Sequence, residues 1–488
     1  MQIDEYAKCD GTELARLISV GEVSVQEIEQ TARAGIESVE PKLNAIVDDL
    51  FDEPLAANSD GPFNGVPFLI KDLVLHAANI PVEFGCRMLK GFSFPHDTEL
   101  LSRFREAGLT MLGRTNTPEL GFSPTTEPVA NGPTHNPWML GRSPGGSSGG
   151  SSAMVAAGAV PMAHANDGGG SIRIPAAQCG LVGLKPSRGR VPLGPDFDGP
   201  LGGMGIEFAV TRTVRDCAAL LDAVEGSCPG ELFLISPPSQ SYVNELNIEP
   251  GVLRIAVSDI PISGVEIDPE VTSSLNTVTK VLEDQGHIVV EDQPEVNSET
   301  HFNVNLVYWT SFAAEVLQDL GAALDVTPSS ENVELVNLKV AEYGSALSAV
   351  DLLHAEAGRN EINRAVCNWF ESYDLFVTPT CACAAWEHGL LNSNDPDLGA
   401  VEWTERLFKP VPFTSLFNLT GQPALTLPLG MSSDHRPIGI QFVAKIGRED
   451  ILFQLAVQLE QLLPWVDRRP AIHVANMVQN WKISTTVS

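Results

Sequence analysis

The sequence predicts an α/β fold with a large mixed β-sheet covered by helices on both faces. Three observations carry that expectation: apolar residues at helical spacing alternate with short strand-like apolar runs, helices open on recognisable capping residues, and two of them stop at a glycine directly before a strand. Alternation of this kind favours a mostly parallel or mixed sheet layered between helices.

The first 50 residues read as helices that wrap a core formed later in the chain. Ser24 and Glu27 form a capping box, Ile28, Ala32, Ile36 and Val39 follow at helical spacing, and Pro41 ends the run. Thr98 caps a helix carrying Leu101, Phe104 and Ala107; Gly108 stops it, and residues 109–112 read as a strand. The same grammar recurs after a strand over 253–257. There Asp268-Pro269 opens a helix with Val271, Leu275, Val278 and Leu282 on one face, Gly286 stops it, and residues 287–290 form the next strand. A long helix over 349–370, with Leu352, Ala355, Ile362, Val366 and Trp369 on one face, leads into a buried strand over 374–377. The Gly-, Pro- and Asp-rich stretch 192–205 reads as a loop within one fold, and no repeat or long polar linker divides the chain, so a single domain over 1–488 is expected.

Composition excludes several functions. Hydrophobic residues are 43% and charged ones 19%, with glycine and proline spread throughout, which is a globular balance. With 30 basic against 62 acidic side chains, the formal charge of −32 repels phosphate backbones, so no nucleic-acid partner is expected. The opening MQIDEYAKCD is acidic where a signal peptide is basic, and no apolar stretch suffices to cross a bilayer; no membrane partner and a cytoplasmic location are expected. Eight cysteines in so long a chain form no disulfide framework.

Chemistry concentrates in two glycine-rich loops. Gly145-Gly146-Ser147-Ser148-Gly149-Gly150-Ser151-Ser152 precedes a helix of small residues, Ala153 to Ala159, and after a short strand over 160–165 comes Asn166-Asp167-Gly168-Gly169-Gly170-Ser171. Glycines before a serine allow backbone angles closed to other residues and leave N–H groups uncovered for a developing oxyanion. A serine hydroxyl needs a base, and Lys71 is the candidate, ending the apolar run GVPFLIK before Asp72. Its residues allow two readings: an ammonium reaching water from a strand end, or a buried amine whose pKa falls toward neutrality.

These segments resemble the amidase signature enzymes. The resemblance runs from GVPFLIKD through GGSSGGSSAMVAAG and NDGGGSIRIPAAQCGLVGLKP to FNLTGQPALTLPLG, which ends at Gly430, and so spans nearly the whole chain. It implies the amidase signature fold, a catalytic core over about 62–215 and a variable substrate-side region over about 295–410. It also implies hydrolysis of a small-molecule amide or carbamate through an acyl-serine, without metal or organic cofactor. Residue by residue, it makes Ser171 the nucleophile, Ser147 a proton shuttle after a cis peptide bond, and Lys71 the base. Gly168, Gly169 and Gly170 with Ser171 supply the oxyanion hole; Ser148, Asp167 and Arg173 support the loops; and the stretch 121–125, with Gly121, Phe122 and Thr125, lines the acyl side. A homodimer is the family-level expectation. The family commonly has threonine where this chain has Gly168, which bears on loop rigidity. Thr115-Asn116-Thr117-Pro118-Glu119, Asn136-Pro137-Trp138, Asn166-Asp167 and Gly447-Arg448-Glu449-Asp450 look closest to bacterial nylon-oligomer hydrolases and related carbamate-cleaving amidases.

Other readings compete. Gly145 to Gly149 also fits G-x-S-x-G, the turn of an α/β-hydrolase with Ser147 as nucleophile and His354, His388, His435 or His473 as base, but Arg142-Ser143-Pro144 is no buried strand. A subunit of the tRNA-dependent amidotransferase shares the catalytic serines, yet typically has glutamine where this chain has Ile174. His164 reads as a core histidine rather than a base. No HExxH or CxxC pair exists and Cys381-Ala382-Cys383 has the wrong spacing, so no metal is expected. Tyr308 and Trp309 either wall a pocket or pack in the core.

Overall fold

The computed structural model describes residues 1–477 apart from 56 and 198. Its strands are β1 (Ile46–Val47), β2 (Pro67–Lys71), β3 (Thr110–Thr115), β4 (Met162–Asp167), β5 (Val182–Lys185), β6 (Ile206–Thr211), β7 (Arg254–Val257), β8 (Ile288–Glu291), β9 (Leu375–Pro379), β10 (Ala424–Met431) and β11 (Pro437–Ala444). Eight of them build one mixed sheet in the order β4-β6-β5-β10-β11-β9-β7-β8, and β1-β3-β2 form a separate small one. Parallel pairing in the large sheet is confined to the edge β9-β7-β8; the remaining pairs are antiparallel, so the sheet is mixed rather than mostly parallel.

Local signals placed most helices well. Ser24 Oγ accepts the Glu27 N–H and the Glu27 carboxylate returns to the Ser24 N–H, so the capping box opens the helix Val25–Leu43. Pro41 lies inside that helix instead of ending it. Its missing N–H costs one bond two residues from the end, where the turn is already fraying, and Asn44 closes the helix in the left-handed conformation. The helical reading of the first 50 residues stops at Leu43, because Ile46 and Val47 form β1 and pair antiparallel with β3. The Thr98 cap, the Asp268 cap and the helix Ala349–Phe370 stand where expected. Leu352 does not share that last helix's buried face, which is formed by Ala355, Arg359, Ile362, Val366 and Phe370.

The N-terminal helices do wrap a core made by later residues. Leu14, Ile28, Ala32, Ile36 and Val39 pack in one apolar cluster with Met154, Met162 and Phe208. Burial of each of the larger of these side chains, Leu14, Ile28, Ile36 and Val39, contributes about 1.5–3 kcal/mol, which holds these helices on without any sheet hydrogen bond.

Candidate active site

β2 is buried over all five residues and pairs in parallel with β3, which leaves Lys71 at its end inside the protein. The side chain is 0% exposed. Its Nζ lies 2.6 Å from Ser147 Oγ and 2.5 Å from Asn166 Oδ1. Burial pushes its pKa down to about 7, although the Glu207 and Asp167 carboxylates pull the other way. The buried-amine reading therefore holds, and a neutral amine at this distance can take the Ser147 proton.

The backbone comes close to Lys71 because glycines permit it. A Cβ on Gly146 would fall 2.7 Å from the Ser123 carbonyl oxygen, and one on Gly150 would fall 2.5 Å from the Asn116 nitrogen. The Gly146–Ser147 peptide bond is cis, as the resemblance implied. Ser148 Oγ donates to the Asn166 carbonyl at 3.3 Å and so ties the two glycine-rich loops together. The helix that follows is Gly149–Ala156; it starts inside the glycine run, earlier than composition suggested.

Strand periodicity explains the second loop. In β4, which extends to Asp167 rather than ending at 165, His164 and Asn166 share one face and Asp167 takes the other. On the first face Asn166 Nδ2 donates to the Leu73 carbonyl at 3.1 Å, fixing which oxygen meets Lys71. On the other, Asp167 accepts from the N–H groups of Gly170 (2.7 Å) and Ile172 (3.2 Å), from Arg173 Nε and Nη2 (2.9 Å each), and from Asn418 Nδ2 (2.8 Å). Burial alone would raise this carboxyl, but the Arg173 guanidinium and the bonds from Arg173 and Asn418 hold it down at about 2. Arg173 continues to the Thr414 carbonyl and to Gln441 Oε1. Both partners of the pair are 0% exposed, and removing one leaves an uncompensated charge at a cost of about 3–5 kcal/mol.

The N–H groups of the expected oxyanion hole differ in their partners. The Gly170 N–H is donated to Asp167 and anchors the loop, whereas those of Gly168, Gly169 and Ser171 have no partner among the described residues. Ser171 borders two lobes of a cleft. The first, of about 500 Å³, is lined by Leu73, Val74, Leu120, Phe312 and Val316 together with Ser147 and Gly168; the second, of about 340 Å³, by Pro124, Ile174, Leu407, Phe408 and Val411. Gly121, Phe122 and Trp309 border both lobes. Thr125 borders neither: its Oγ is bonded to Glu127 Oε1 at 2.5 Å and to Ser143 Oγ at 2.6 Å, so it stiffens the loop.

Tyr308 and Trp309 divide the two roles between them, because successive helical residues point about 100° apart. Trp309 stacks edge-on to Phe122 at 5.2 Å and walls the cleft. Tyr308 is buried, bonded to Glu356 and packed over Gly202. His164 is a core histidine: its Nε2 meets Glu207 Oε2 at 2.7 Å, its Nδ1 accepts the Lys71 backbone N–H at 3.3 Å, and burial lowers its pKa. Cys381 is buried against Ile174 and Trp386, in the apolar role expected. Ser147 follows no strand and its Oγ faces Lys71, which removes the α/β-hydrolase reading. Sequence reasoning missed Asn166 and Glu207 as neighbours of Lys71; the alternation along β4 was the signal that could have found Asn166.

Comparison with known proteins shows the family. A family model described as Amidase matches residues 27–453. The chain is 39% identical over 483 residues to a 6-aminohexanoate-cyclic-dimer hydrolase of Paenarthrobacter ureafaciens, covering 95% of this chain and 96% of that protein. It is 33% identical over 473 residues to an acylamidase of Rhodococcus erythropolis, covering 94% and 96%. A solved structure of 6-aminohexanoate cyclic dimer hydrolase superposes with a TM-score of 0.89 at 36% identity, over 96% of this chain and 99% of the other.

Proposed function

The chain belongs to the amidase family and is an amide hydrolase, and we propose that it works through an acyl-serine formed on Ser171 by a relay of Lys71 and Ser147. The observation that carries this reading is the 2.6 Å contact between a fully buried Lys71 amine and Ser147 Oγ, in a cleft that Ser171 also borders. Neutral Lys71 draws a proton through Ser147 from Ser171, whose oxygen attacks the amide carbonyl carbon. The N–H groups of Gly168, Gly169 and Ser171 receive the oxyanion. As the C–N bond breaks, the same proton returns through Ser147 to the leaving amine. Water then attacks the acyl-serine, and Ser171 recovers its proton.

The lobes point to the substrate class. Apart from Asp167 and Glu207, both already hydrogen-bonded, no charged side chain among the described residues lines either lobe, and the rest of the wall is mainly apolar. Neutral amides with methylene or aryl groups on both sides of the carbonyl fit, cyclic oligoamides of the kind named for the 39% identical relative among them. Carbamates fit the same chemistry. The isolated chain, given a panel of anilides, aliphatic amides, cyclic amides, carbamates and esters, is expected to cleave uncharged amides with higher kcat/KM than analogues carrying a carboxylate near the scissile bond. A preference for the charged analogues would overturn the assignment.

Activity should rise through a limb near pH 7 as Lys71 loses its proton. Glu207 and Asp167 are the acidic groups that favour the ammonium, and His164 beside them is neutral. Glu207→Gln removes one of these negative charges, so the ammonium form becomes less favourable and the limb should move to lower pH by roughly half to one unit. A limb that stays put or moves to higher pH would separate it from Lys71.

A further inference from the structure

The geometry points to a divalent transition-metal site of the zinc class, formed by His76, His96 and Asp196 away from the catalytic relay. Their ligand atoms lie within 4.8 Å of one another. His76 Nε2 is 3.2 Å from Asp196 Oδ2, and His96 Nε2 is 2.9 Å from the same oxygen. Donor atoms around a tetrahedral ion with bonds near 2.0–2.1 Å sit roughly 3.3 Å apart, and two imidazoles with one carboxylate suit zinc and its neighbours.

The state of His76 argues for a cation between these groups. Its Nδ1 lies 2.8 Å from the Val74 carbonyl, an acceptor, so Nδ1 carries a proton and Nε2 is the nitrogen turned toward Asp196. The ring is 1% exposed and stacked on Phe94 at 3.9 Å. Nε2 has no hydrogen-bond partner among the described residues. A buried ring nitrogen without a hydrogen bond therefore stands beside a carboxylate, an arrangement that a bound cation satisfies. The nearby Asp97 carboxylate is not available, since it is taken by Arg105 and the Ala78 N–H.

The site joins two parts of the cleft wall. Val74, whose carbonyl orients His76, lines the first lobe and holds a positive φ of 66°, unusual for a β-branched residue. Asp196 stands four and five residues before Pro200 and Leu201, which line the same lobe. A metal here would clamp the turn around Asp196 onto the segment after Lys71. It would order the substrate wall while leaving hydrolysis to the chain's own groups.

The test uses the full chain freed of metal with chelator, and zinc chloride titrated by calorimetry into wild type, His96→Gln and Asp196→Asn. These positions are chosen because both side chains are partly exposed, whereas a change at buried His76 endangers the fold. Wild type should bind one equivalent and melt about 2–5 °C higher at saturating zinc. Each variant should bind at least about 10-fold more weakly, with its metal-free amide turnover unchanged. No saturable binding by wild type, or binding undiminished in both variants, would leave only a histidine–carboxylate pair and overturn the site.

Discussion

Ser171→Ala is expected to lower amide turnover by about 10⁴–10⁶-fold while the fold survives. The Ser171 hydroxyl has no hydrogen-bond partner among the described residues, so its loss removes the nucleophile without orphaning a buried group. The loop around it is held by the Asp167–Arg173 network and by the Thr414 hydroxyl on the Gly169 carbonyl, none of which uses that oxygen. The melting temperature should therefore stay within about 2 °C of wild type. A serine-directed phosphonyl or sulfonyl reagent should label Ser171, and mass spectrometry locates the adduct. Substantial turnover by a folded Ser171→Ala protein, or an adduct on Ser147, would remove Ser171 from the nucleophile's place.

The second large effect concerns the relay. Lys71→Ala and Ser147→Ala should damage cleavage of an anilide at least about 10²-fold more than cleavage of a nitrophenyl ester of the same acyl group. Both substrates need Ser171 activated, but only the anilide needs a proton delivered to its departing amine; nitrophenolate leaves without one. The comparison is of kcat/KM for both substrates in wild type and both variants, with melting temperatures to confirm folding. Lys71→Arg should be nearly inactive as well, since a guanidinium keeps its proton at any working pH. Equal fractional losses on the two substrates would confine Lys71 and Ser147 to activating the nucleophile.

Much of this site was legible because its parts are local in the chain. The two serine loops carry their glycines beside them, and β2 announces Lys71 as the end of an apolar run. Helices with caps, such as those opened by Ser24, Thr98 and Asp268, were legible for the same reason: each cap directly precedes its helix and accepts an N–H two or three residues on. Strand direction was less legible, since pairing is decided by partners far along the chain; β10 and β11 insert between β5 and β9 and make most of the sheet antiparallel.

By itself, then, the sequence determined the helix starts, the glycine-rich loops and the residue types able to form a serine nucleophile with an amine base. Only the tertiary structure decided that Lys71 is buried, because burial depends on β4 and β6 packing over it with Asn166 and Glu207. Folding likewise separated Trp309 from Tyr308, engaged the Gly170 N–H with Asp167, and brought His76 and His96 to Asp196. The placements of Trp309 and of His76, His96 and Asp196 depend on distances between segments remote in sequence, whereas the Gly170 N–H turns back on a carboxylate three residues away. A protonation state, a free N–H group or a metal's donor set is a property of the space those segments enclose, and no local pattern encodes that space.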